Sequence, residues 1–170
     1  MFPLFHIAFP LLIFEMPQIK KKYRVNRLAL IIGSILPDII DKSFLFLQIS
    51  SGRGYSHTLL FVLLFSAFIF LISKRNKALS LSLLIGLVFH LILDLPYVPI
   101  FYPFIPYDFS MVHDPLPLWI HTLMTDPKVY LTEIIGGFIL GFIIINNKLY
   151  SIEEITNYLK TDPEILIVEN

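Results

Sequence analysis

The stretch YSHTLLFVLLFSAFIFLIS, residues 55–73, carries no lysine, arginine or carboxylate, and KRNK closes it at 74–77. A bilayer core about 30 Å thick takes a helix of about 20 apolar residues, so this segment is expected to cross a membrane. Working outward, the pattern recurs. LALIIGSILPDIIDKSFLFLQ (28–48), ALSLSLLIGLVFHLILDL (78–95) and KVYLTEIIGGFILGFIIINN (128–147) are each long enough to do the same. The first, MFPLFHIAFPLLIFEM (1–16), is shorter and holds Pro3 and Pro10. It reads as a short membrane helix, either a tilted span or a re-entrant segment. It has no charged leading region and no small-residue cleavage site, so a cleaved secretory signal is not expected.

These segments predict an all-α integral membrane protein with four or five membrane helices. Residues 1–147 form the membrane domain, and residues 148–170 form a cytoplasmic amphipathic tail. Between the last two spans, residues 96–127 hold seven of the twelve prolines together with Tyr97, Tyr102, Tyr107 and Trp119. That composition predicts an interfacial loop with little regular helix. Pro37, four residues after Gly33, is expected to kink or break the helix beside Asp38.

Composition agrees. The chain has 170 residues, 56% of them hydrophobic, and no net charge; its mean hydropathy is +0.75. A soluble domain is typically about 45–50% apolar. No overall basic field invites nucleic acid, and the cluster Lys20, Lys21, Lys22, Arg24, Arg27 has a sufficient explanation in topology. Basic residues collect in short cytoplasmic loops, so residues 20–27 and 74–77 are expected on the inner side. With no cysteine present, disulfides and thiolate metal sites are excluded, which leaves His, Asp and Glu as strong metal ligands.

Ionisable groups inside the apolar segments therefore stand out, because such groups are costly at membrane depth. Asp38 and Asp41 lie three apart, and His90 and Asp94 four apart, so each pair shares a helical face. At a rise of about 1.5 Å per residue, Asp41, His57, His90 and Asp94 all fall in the outer half under this topology. His6 joins them if the N-terminus is outside, and Glu133 stands near the rim. Such a set suits a divalent ion, Zn²⁺ first and Mn²⁺ second, in an open site able to activate water for hydrolysis. His6, Asp38, His57, His90 and Asp94 are the expected ligands, with Asp38 and Asp41 as catalytic carboxylates and Asp41 as general base. A site so deep favours a lipid-like or membrane-delivered ester or phosphoester. The rival readings are a cation or proton transport protein using the same cluster, and a scaffold whose polar residues only join helices.

The motifs GSILPDIID (33–41), RGYSHTLL (53–60) and HLILD (90–94), after an early His6 and before PYVPIFYPF (96–104), resemble those of the membrane-bound metal-dependent hydrolases of bacteria and archaea. The resemblance covers roughly residues 1–105 and implies a small multi-spanning fold, a metal site at these residues and hydrolytic chemistry. Two positions depart from the family pattern. Gly52 stands where members often have a histidine, and Asp41 comes one residue late, with Ile40 in the expected place.

Other candidates are weaker. His113, Asp114 and His121 could line the entrance, Ser56 is expected to form a hydrogen bond, and Arg53 could hold an anionic group or simply be solvated. Gly136, Gly137 and Gly141 are expected to allow close helix packing.

Overall fold

A computed structural model describes residues 3–23, 25–48, 54–109 and 115–160. Among these residues every regular element is helical: α1 (Pro3–Glu15), α2 (Pro17–Lys22), α3 (Arg27–Phe46), a 3-10 turn (Tyr55–His57), α4 (Leu59–Ile72), α5 (Lys77–Leu93), α6 (Pro115–Thr125), α7 (Pro127–Asn146) and α8 (Ile152–Leu159). Their starts follow local chemistry. Side chains of Asn26, Thr58 and Asn76 accept from the backbone N–H groups of Ala29 (2.9 Å), Phe61 (3.0 Å) and Leu79 (3.0 Å), satisfying donors that a helix start leaves orphaned. With Thr58 as its cap, α4 begins at Leu59, four residues later than the apolar run suggests, and Tyr55–His57 winds separately.

The structure differs from expectation in α3, in α6 and in the number of helices long enough to span. Helix α3 runs continuously through Pro37, with no break beside Asp38. Helix α6 forms inside the proline-rich segment, because Pro115 and Pro117 occupy its first turn, where backbone N–H groups are not used by the helix. Of the described helices, α7 alone is both long and apolar enough to cross a bilayer by itself; α1, α4 and α5 are apolar but shorter. Helix α3 matches α7 in length but carries Arg27, Asp38, Asp41 and Lys42.

The core of the bundle is the pairing of α3 with α5. The two helices run in the same direction, since Asn26 N–H donates to Ser82 Oγ (2.9 Å) at one end and Ser34 meets His90 farther along. They cross at Gly33 and Gly86: a Cβ on Gly86 would lie 2.3 Å from the Leu30 carbonyl oxygen, and one on Gly33 would lie 2.4 Å from that of Leu83. No other residue admits so close an approach. Leu83, Leu87 and Leu91 of α5 then pack with Ala29 of α3 and Val62 of α4.

Helix α1 lies along α7. Gly136 receives its first turn, where an added Cβ would sit 2.7 Å from Phe5 N, and the Glu133 carboxylate accepts the N–H groups of Leu4 (3.1 Å) and Phe5 (3.3 Å). Glu133 is thus a cross-helix cap. Gly137 and Gly141, by contrast, face open space and pack against nothing among the described residues.

At the far end of α1, Glu15 gathers the basic segment. Its carboxylate pairs with Arg27 (2.8 Å) and Lys20 and accepts the Tyr158 hydroxyl (3.0 Å), while the Arg27 guanidinium lies 4.1 Å from the Tyr158 ring centre. These contacts dock α8 on the bundle. Burial, and after it the neighbouring Glu15 charge, pushes the Tyr158 phenol well above its ordinary range, so it remains a proton donor.

Buried polar groups stand beside the apolar clusters, and much of the outer surface is apolar. His6, Ser34, Asp41, Ser56, His57 and His90 are essentially buried, whereas Leu64, Phe68 and Leu71 of α4 and Phe138, Phe142 and Ile145 of α7 are largely exposed. An apolar exterior with ionisable groups kept inside is the arrangement that a lipid solvent favours.

Candidate metal centre

Four side chains converge at the end of the bundle remote from Glu15. Asp38 comes from α3, His57 from the 3-10 turn, His90 from α5 and Asp94 from the residue that closes α5. Each offers a ligand atom, and these atoms all lie within 4.8 Å of one another. His57 Nε2 and His90 Nε2 are 3.1 Å apart. Asp38 Oδ1 lies 3.5 Å from His57 Nε2, and Asp94 Oδ2 lies 3.7 Å from both imidazole Nε2 atoms.

The backbone explains why the two imidazoles present Nε2 inward. His90 Nδ1 is 2.7 Å from the Ser34 carbonyl oxygen, which can only accept, so Nδ1 holds the proton. His57 Nδ1 is 2.6 Å from Asp41 Oδ2, which as a carboxylate also accepts. With both Nδ1 atoms acting as donors, each Nε2 is left to bind a cation. Pro37 lacks the N–H that would occupy the Gly33 carbonyl, yet α3 continues through it. The Pro37 carbonyl itself accepts the Ser56 hydroxyl (2.8 Å), fixing the 3-10 turn on α3. Ser56 therefore does what its position beside His57 suggested.

Four ligands on bonds of about 2.0–2.1 Å, arranged as a tetrahedron, would stand about 3.3 Å apart. Four of the six separations, at 3.1–3.7 Å, bracket that value, and the other two lie within 4.8 Å. Two neutral nitrogens and two carboxylates form a donor set suited to a divalent first-row ion, and the set is neutralised by its charge. The residues present fit a metal, and Asp38, His57, His90 and Asp94 can hold one.

The remaining expected residues stand around this group. His6, fully buried, puts Nε2 3.3 Å from Asp94 Oδ1, the oxygen opposite the one facing the other histidines, and its ring lies 4.4 Å from that of His90. Asp41 lies behind His57, where Oδ2 also accepts the Gly54 N–H (2.6 Å). Asp41 thus faces the outer nitrogen of His57 while Asp38 approaches the inner one. His121 is exposed on α6 and contacts Thr125 (3.3 Å), away from the four. Gly52, Arg53, His113 and Asp114 lie outside the described residues.

One neighbour was missed by sequence reasoning. Lys42, one helical turn after Asp38, forms an ion pair with Asp38 Oδ2, and its ammonium lies 5.5 Å from the centre of the Trp119 ring on α6. The spacing of four was the available signal, but a lysine near a helix end reads first as a rim charge.

A family model described as YdjM inner membrane protein matches residues 1–152, and the chain belongs to that family. No curated protein and no solved structure matches it.

Proposed function

We propose, from membership of the YdjM inner membrane protein family and from the apolar outer surface of the bundle with its ionisable groups kept inside, that α1, α3, α4, α5 and α7 are all embedded in the bilayer and carry a metal-dependent hydrolytic site. Short helices such as α1 and α4 are accommodated by local thinning of the bilayer. Both basic segments lie at the end of the bundle away from the site, since Asn26 meets Ser82 and Ser73 lies beside Ser80 there (3.5 Å). By the positive-inside tendency that end is cytoplasmic, and the site faces the extracytoplasmic half.

The observation carrying the functional reading is the pair of inward Nε2 atoms, each with its other nitrogen committed to an acceptor, meeting two carboxylates. A helix-joining plug needs no such matched tautomers. Asp38, His57, His90 and Asp94 would hold a divalent ion, which would supply Lewis-acid activation of water and of the scissile ester. In this reading Asp41 and the Ser34 carbonyl keep His57 and His90 in register, and His6 does the same for Asp94. Asp41, expected as the general base, is taken up by His57 Nδ1 and the Gly54 N–H, so in this reading Asp38, the most exposed of the four, accepts the proton of the attacking water and returns it to the leaving oxygen. The favoured substrates are lipid-like or membrane-delivered esters, phosphoesters included.

The test is turnover of soluble ester and phosphoester probes by detergent-purified protein reconstituted with Zn²⁺ or Mn²⁺. Metal-dependent hydrolysis that vanishes in Asp38→Asn is the expected result. A metal-loaded wild type inert toward both probe classes and toward short-chain lipid analogues would defeat the hydrolytic reading.

A further inference from the structure

We propose that Lys42 is the anion receptor of this site, selecting a substrate that carries a phosphate group. The inference rests on the metal-site reading above. Of the four converging ligands, His57, His90 and Asp94 have side chains no more than 2% exposed, whereas Asp38 is 12% exposed. The site therefore opens on the side of Asp38. Lys42 stands at that opening with its side chain 29% exposed, anchored on one side by Asp38 Oδ2 and on the other by the face of Trp119.

Charge and reach give the choice of ligand. Asp38 and Asp94 bring two negative charges to the cage, which a divalent ion would balance, while Asp41 lies behind His57 with its own hydrogen bonds to His57 and Gly54. A cation in the cage takes over the neutralisation of Asp38, which frees the ammonium to turn outward. Lysine suits this task, being a compact charge with three donors on a flexible stem. The ring of Trp119 holds the ammonium by a cation–π contact and keeps it at the opening. A neutral acyl ester gains nothing from such a group, whereas a phosphate oxygen gains a charge-assisted hydrogen bond. The phosphate can belong to a lipid headgroup or be free.

Three titrations on detergent-purified protein test this: Zn²⁺ alone, then inorganic phosphate and dihexanoyl phosphatidic acid on the zinc-loaded protein, each read by calorimetry and thermal shift. Lys42→Gln is expected to bind Zn²⁺ within about threefold of wild type or more tightly, because a competing cation is gone, and to lose about tenfold or more in affinity for both anions. Lys42→Arg is expected to restore most of the loss. Trp119→Leu, which leaves the charge in place, should weaken anion binding by a smaller factor. Tighter binding of phosphatidic acid than of phosphate in the wild type identifies the lipid source, and equal affinities identify free phosphate. Equal anion affinities in wild type and Lys42→Gln, both zinc-loaded, would overturn the role of Lys42 and leave the metal site standing. Failure of the wild type to bind Zn²⁺ would overturn both.

Discussion

Asp41 shows how one residue's position changes its task. Its carboxylate reaches the outer nitrogen of His57 and so fixes which nitrogen faces the cage. Carboxylates behind ligating histidines commonly contribute about 10–100-fold in metal affinity. Asp41→Asn, which keeps the size and removes the charge, is expected to weaken Zn²⁺ binding by about that factor with the fold intact, measured by competition with a chromophoric chelator. Unchanged affinity would remove Asp41 from the site's support. The pairing of His90 with Asp94 was legible in the sequence because a spacing of four is a local property of one helix. The partners of Asp41 and His6 were not, since they depend on where the 3-10 turn and α5 come to rest, which no periodicity encodes. Lys42 was hidden for the opposite reason: its local signal had an ordinary explanation.

Elements are placed by small residues and caps. The crossing of α3 and α5 at Gly33 and Gly86 sets His90 against Ser34, so packing and ligand geometry are one feature. Gly86→Ala puts a methyl group into backbone 2.3 Å away and is expected to lower thermal stability, at a cost of about 1–3 kcal/mol or more, and to weaken metal binding with it. Gly137→Ala, with nothing within 4 Å of the added atom, is the control and is expected to be neutral or stabilising by about 0.5–1 kcal/mol. Equal melting temperatures for both variants would show that the crossing tolerates a methyl group and is not set by the two glycines. The apolar runs located most helices correctly, but α4 begins late because Thr58 caps it, and α6 escaped notice because prolines that break a helix interior also begin helices well. The three glycines of α7 looked alike in sequence; only the position of α1 separates Gly136 from the other two.

The described residues put the basic segments at one end of the bundle and His6, Asp38, Asp41, His57, His90 and Asp94 at the other. The chain has no cysteine, so single cysteines report cleanly. Ile105→Cys, in the loop between α5 and α6, is expected to react with an impermeant maleimide in intact cells, and Lys77→Cys only after permeabilisation. The reverse pattern would invert the topology, and equal labelling of both would deny that the bundle spans. The metal centre itself is tested by the metal content and melting temperature of wild type and His90→Gln, purified side by side in detergent. A ligand that binds only the folded state stabilises it, by about 2.7 kcal/mol at a hundredfold excess over its dissociation constant. Wild type is expected to carry stoichiometric divalent metal, or to take it up with a clear rise in melting temperature, while folded His90→Gln does neither. Wild-type protein without metal and indifferent to added Zn²⁺ and Mn²⁺, melting with His90→Gln, would mean that these residues only bond helices together.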